Sequence, residues 1–208
     1  MIRMTLAPCR DSTAADWITT SRQWWWHLVT VGPQTFSAYA RLRFIPDPAY
    51  PGQSENDMGR PPGVLDDVEQ LRVAVDTLLP RTSAPEDGYL LLWDGWDDSQ
   101  FPQRLRGGAQ VPIGSGAKIP ERNYWLCRVS LLDFVSGAAE EAWRTEAQVA
   151  MPPPAFIWPA DRAWCITHDV DPHWAVIGAD PAAIDALLTE PRLDIVAMAP
   201  NEEPPHFS

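Results

Sequence analysis

Lysine is almost missing from this chain: Lys118 is the only one, against fifteen arginines. Bases as a whole are scarce, with 16 Lys and Arg facing 28 Asp and Glu for a net charge of −12. A chain so charged repels phosphate backbones and anionic bilayers, so neither nucleic acid nor membrane is expected as a partner. Cysteine is also thin. Cys9, Cys127 and Cys165 form no Cys-x-x-Cys pair and leave one thiol unmatched, which argues against a zinc ribbon or disulfide framework and suits a reducing cytoplasm. No window approaches the roughly 18 to 20 apolar residues of a membrane span, and Met1 to Arg10 lacks the apolar run of a secretory signal. Catalytic signatures are missing too: there is no Gly-x-Ser-x-Gly elbow and no His-Glu-x-x-His helix. Gly114-Ser115-Gly116-Ala117-Lys118 fails as a phosphate loop, because Ala117 separates the last glycine from the lysine and Ile119 stands where Ser or Thr is needed.

Tryptophan, by contrast, is abundant. Eleven Trp, six Phe and four Tyr are ample for a core, each buried aromatic removing on the order of 150 to 250 Å² from water. A chain of 208 residues buries roughly 70% of the surface its unfolded form exposes. One domain over 1–208 is expected, with a Pro-rich internal linker at Met151-Pro152-Pro153-Pro154 and a frayed tail from about residue 199. Charge is unevenly placed. Residues 55–100 hold eleven acids and three bases, and residues 129–208 thirteen acids and three bases. Between them 101–128 is basic, with Arg104, Arg106, Lys118, Arg122 and Arg128 against Glu121 alone. That segment can contact either the acidic flanks or an external partner.

Periodicity outlines an α+β fold, a mixed and largely antiparallel sheet of about six strands with about three helices packed on it. The first Trp-rich stretch reads as a helix from Ser12 to about His27 or as a strand from Trp25 to Val31. Strands are expected over 36–45, 88–93, 122–130, 163–170, 173–178 and 193–198. The run 122–130 carries apolar residues on both faces, which suits a central strand. Leu65 to Leu79 has a helical apolar stripe behind Asp66 and Asp67. Another helix starts at Asp180, with Pro181 in its first turn and Ile184, Leu187 and Leu188 as its buried side. Pro46 to Gly63 and Asp97 to Gly108 read as exposed loops.

Two clusters could carry function. Thr167-His168-Asp169-Val170-Asp171-Pro172-His173 packs two carboxylates and two imidazoles into seven residues. On a strand, Asp169 and Asp171 face one way and His168 the other, and such a carboxylate pair can hold a divalent ion or share a proton, with His168 and His173 in support. The bland alternative is a turn capped by its aspartates. Trp93-Asp94-Gly95-Trp96-Asp97-Asp98 joins two Trp to three acids, a composition suited to a basic protein partner, since Trp is enriched at binding hot spots and acids steer cations. Its alternative is core closure by Trp93 and Trp96 with solvated acids.

Thr167 to Asp171 also looks like the first metal motif of polysaccharide-deacetylase-type enzymes. Those enzymes need a His-xxx-His pair well downstream, whereas the 37 residues after Asp171 contain only His173 and His206, so the assignment is rejected. Over most of its length the chain resembles a group of uncharacterised actinobacterial proteins, through Phe36 to Pro48, Leu92-Trp93-Asp94-Gly95-Trp96 and Trp158 to Trp174. The resemblance implies an intact fold of cytoplasmic origin and supplies no site. The leading expectation is a non-enzymatic protein-binding domain, an inhibitor or immunity-type partner of a basic protein, without a cofactor. The competing one is a metal-assisted hydrolase using Asp169 and Asp171, with a divalent ion.

Overall fold

A computed structural model describes residues 5–58, 63, 65–114, 120–199 and 201–207, without the side chain of Asp98. The expected glycine loop 114–118 therefore falls mostly outside the described residues, Lys118 included. Among the described residues the chain forms nine strands and six α-helices, joined by short 3-10 turns. The strands are β1 (Leu6–Pro8), β2 (Ala38–Arg43), β3 (Gly88–Trp93), β4 (Gln110–Ile113), β5 (Arg122–Val129), β6 (Phe156–Pro159), β7 (Cys165–Thr167), β8 (Trp174–Ala179) and β9 (Ile195–Met198). The helices are α1 (Asp16–Thr19), α2 (Trp25–Val31), α3 (Asp67–Leu78), α4 (Leu131–Val135), α5 (Ala138–Ala147) and α6 (Pro181–Leu188).

The α+β class and the antiparallel sheet agree with the sequence reading; the counts of about six strands and three helices do not. All pairings are antiparallel, in the order β1-β5-β3-β6-β7-β8-β2-β9. β4 shares with β1 the outer side of β5, pairing to its first half while β1 pairs to its second. The strands missed by sequence are β1, β4 and β6, of three or four residues each, too short to express a period of two. Pro8 and Pro112 sit in strands paired on one side only, where a missing N–H breaks no ladder.

Alternation along the strands sorts side chains onto two faces. Ala40, Leu42, Leu90, Leu92, Ile166 and Ile177 meet α3 to α6 through Leu71, Leu78, Phe134, Trp143 and Leu187. Leu91, Tyr124, Leu126, Phe156 and Trp158 meet the N-terminal segment through Ala15, Ile18, Leu28 and Val29. β8 is buried at every position, as a strand covered on both faces must be.

The single helix expected from Ser12 to His27 is broken, and the strand alternative over Trp25 to Val31 is overturned, because that stretch is α2. Side-chain hydrogen bonds accompany the break. The Thr20 hydroxyl turns back onto the Asp16 carbonyl, and Gln23 donates to the Gly32 carbonyl at 3.0 Å while accepting from the Gln34 amide at 2.9 Å. α6 begins with the expected Asp180 cap, here onto the Ala183 amide, and α3 begins with a reciprocal capping box between Asp66 and Glu69, so that Asp66 caps the helix instead of standing in its first turn as expected. Leu188, expected inside, is instead exposed. Met151 and Ala155, flanking the proline run, lie in the core, and the Asp97 to Gly108 stretch contributes buried Phe101 and Leu105.

Candidate functional site

The two clusters singled out in the sequence meet at one end of the sheet, and Arg122 joins them. Arg122 opens β5. Its Nε and Nη2 donate to the two Asp169 oxygens at 3.1 and 3.0 Å, and Nη2 also donates to Asp171 at 2.8 Å. The guanidinium lies 5.9 Å from the ring centre of Trp25 and 5.7 Å from that of Trp93, close enough for cation–π attraction. Trp93 in turn meets Trp96 edge to face at 5.6 Å. This packing needs Gly95, where an added Cβ would lie 2.2 Å from the Trp93 ring.

The Asp169 side chain has no solvent exposure, whereas that of Asp171 is 64% exposed. A buried carboxylate is tolerable only when paired, and the bidentate fork supplies the pairing. The expected strand over 163–170 is shorter, since β7 ends at Thr167 and the cluster lies on the turn after it; there Asp169 and Asp171 share Arg122 while His168 goes elsewhere. The His168 ring lies 4.8 Å from Phe44 on the other side, and its main-chain amide donates to Ala155 at 2.7 Å. Burial pushes the His168 pKa down to about 4, against the opposing pull of Asp169, so the ring is neutral at pH 7. The Pro172 main chain also opposes the shift, and Nδ1 is buried without a hydrogen-bond partner.

His173 belongs to a second network. Arg41, 5% exposed, makes a forked ion pair with Asp47, which also takes bonds from Arg43 at 3.1 Å and His173 Nε2 at 3.3 Å. Arg43 continues to Asp194 at 2.6 Å. Burial works against charge on Asp47, but Arg41, Arg43 and His173 outweigh it and hold the carboxyl well below its ordinary range. Burial depresses the His173 pKa, with Asp47 opposing. The C-terminal stretch packs over this corner, Phe207 against His173 at 4.5 Å and His206 against Trp174 at 4.8 Å.

The Trp-acid turn is less open than its composition suggests. Trp93 and Trp96 are half-buried on the two main core clusters. Asp94 accepts from Asn123 at 2.6 Å, and exposed Asp97 accepts from the Ser99 amide at 2.7 Å; the Ser99 hydroxyl first, and then this amide, lower the Asp97 pKa. The Asp98 side chain lies outside the described residues.

Two clefts flank the Asp171-Pro172-His173 turn and share Glu55 with it: an outer one of about 370 Å³ walled by Trp26 and Phe207, and an inner one of about 190 Å³ walled by Phe44, Trp96 and His168. Arg122, Asp47, Glu55 and Trp26 were not identified from sequence as site residues. The only forewarning was the basic segment that contains Arg122. Among the described residues no three His, Cys, Asp or Glu are grouped to hold a metal ion. Cys127 and Cys165 are buried free thiols whose pKa burial raises to about 12, which leaves no thiolate nucleophile there. No protein-family model, curated protein or solved structure matches this chain.

Proposed function

We propose that the chain is a non-enzymatic protein-binding domain whose partner is a basic protein, acting as an inhibitor or immunity-type protein. The observation that carries this reading is how the basic segment is used. Arg104 pairs with Glu146 at 2.6 Å, Arg122 with Asp169 and Asp171, and Arg128 with Asp87 at 2.6 Å. These arginines are paired within the chain, and in a chain of net charge −12 the acids Glu55, Asp57, Asp97 and Asp185 are exposed. A field of that sign attracts cationic surfaces and speeds encounter with them.

The hydrolase reading draws less support. Both carboxylates it needs face Arg122, so a divalent ion would have to displace a guanidinium from a fully buried aspartate. The Trp-acid turn enters the binding reading as the rim of the inner cleft, through Trp96. Affinity capture from the source organism's lysate tests the proposal: a stoichiometric basic protein, lost as salt is raised, is expected, and recovery of the chain alone contradicts it.

A further inference from the structure

One edge of the sheet is blocked and the other is open. At the edge formed by β1 and β4, Pro8 and Pro112 stand where outward N–H groups would be, which hinders pairing with a further strand. At the opposite edge β9 pairs with β2 alone, and its residues Ile195, Val196, Ala197 and Met198 include neither proline nor charge. Ala197 is exposed, and Ile195 and Val196 are half-buried.

The ladder fixes which main-chain groups of β9 point outward. The Arg43 amide donates to the Asp194 carbonyl at 2.9 Å, so in this register Asp194, Val196 and Met198 turn their N–H and C=O groups toward β2. Ile195 and Ala197 turn theirs away from the sheet, and among the described residues no partner meets them. This open strip is bounded at both ends. The Leu193 amide is taken by the Glu190 carbonyl at 3.3 Å, and Ala199 is closed by Glu202, whose side chain accepts at 3.1 Å and whose amide donates at 3.0 Å. The groups left over, on Ile195 and Ala197, are symmetric about Val196. A second β9 running antiparallel across a two-fold axis sets Ile195 opposite Ala197 of the partner subunit and brings the two Val196 side chains together, and every one of these groups then has a partner.

We propose that β9 is a dimer edge, at which two copies of this chain join their sheets antiparallel about Val196. The inference goes beyond the binding reading above and does not depend on it. A few main-chain bonds and one close side-chain pair make a small interface, so association is weak and is lost on dilution. Two molecules of net charge −12 repel each other, so salt strengthens this pairing, the opposite of its effect on capture of a basic protein.

Sedimentation velocity of the intact protein from about 1 µM to about 1 mM, at low and moderate salt, is the test. A shift from monomer to dimer with rising concentration is expected, and it should begin at lower concentration when salt is added. Ala197→Pro removes an outward N–H without touching the β2 ladder. It is expected to raise the dissociation constant at least about tenfold, since the two-fold axis doubles the lost bond. Val196→Lys and Val196→Glu should each stay monomeric alone and dimerise when mixed, and dimerisation of the mixture also shows that both variants fold. A monomer at every concentration, a dimer insensitive to Ala197→Pro, or a mixture that stays monomeric overturns the proposal. If wild type is monomeric throughout and Ala197→Pro abolishes capture of a basic protein, the edge takes a strand of that protein and self-pairing is overturned.

Discussion

Asp169 gives up all its side-chain hydration on folding, and the Arg122 fork is what replaces it. Breaking such a pair from one side leaves an unpaired buried charge, so Arg122→Met is expected to cost about 3–5 kcal/mol. Adding Asp169→Asn should recover a large part of that loss, because the neutral amide has no charge to leave unpaired. Urea denaturation of the two single variants and the double variant measures the coupling, and simple additivity would contradict the assignment. His168 makes a prediction with a definite sign. Its folded pKa, about 4, lies below the ordinary 6.5, so between these values the unfolded chain binds more protons than the folded one. Stability is then full above pH 6.5 and falls as pH drops toward 4, by on the order of 3 kcal/mol from this group. The depressed His173 adds to the same slope, whereas Asp47, depressed as an acid, loses its contribution only below the ordinary carboxylate range. His168→Phe should therefore flatten, without abolishing, the decline of the urea midpoint from pH 6.5 to 4. An unchanged slope would show that the ring is not buried and neutral.

At the scale of elements, the reciprocal bonds between Asp66 and Glu69 close the first turn of α3, whose Leu71, Val75 and Leu78 fill the core beneath. Asp66→Ala should lower stability by about 1 kcal/mol with the denaturation slope unchanged, as read by guanidinium titration. The helix was legible in the sequence from its apolar stripe and first-turn acids, but the cap was not, since Asp66 reads as one of those acids. Asp180-Pro181 before α6 was legible because aspartate suits the cap and proline the first turn, β3 was legible as a compact apolar run of strand length, and β5 from alternation over eight residues. β1, β4 and β6 were not, since three or four residues pair only because β5 and β3 are already in place beside them. α5 also lacked a signal: its buried side is Ala139 and Trp143, two positions among alanines and charges. The break between α1 and α2 is accompanied by Gln23 reaching Gly32 and Gln34, contacts that no local pattern encodes.

Across the whole molecule, sequence distance hid the site's logic. Trp25, Trp93 and Arg122 come from α2, β3 and β5 and Asp169 from the turn after β7, and only the strand order places them together. The Trp-acid turn and the His-Asp cluster were each visible as residues, but their connection through Arg122 was not. The basic segment is likewise tied to the acidic flanks, since Arg104 pairs with Glu146 and Arg128 with Asp87 in a molecule of net charge −12. On the proposed binding reading, exposed acids such as Glu55 and Asp97 steer a cationic partner. The measurement that tests this account most directly is capture of the partner from lysate across a salt series, read by mass spectrometry. The account predicts one stoichiometric basic protein whose recovery falls steeply as salt rises; recovery of this chain alone, or of a partner indifferent to salt, would contradict it.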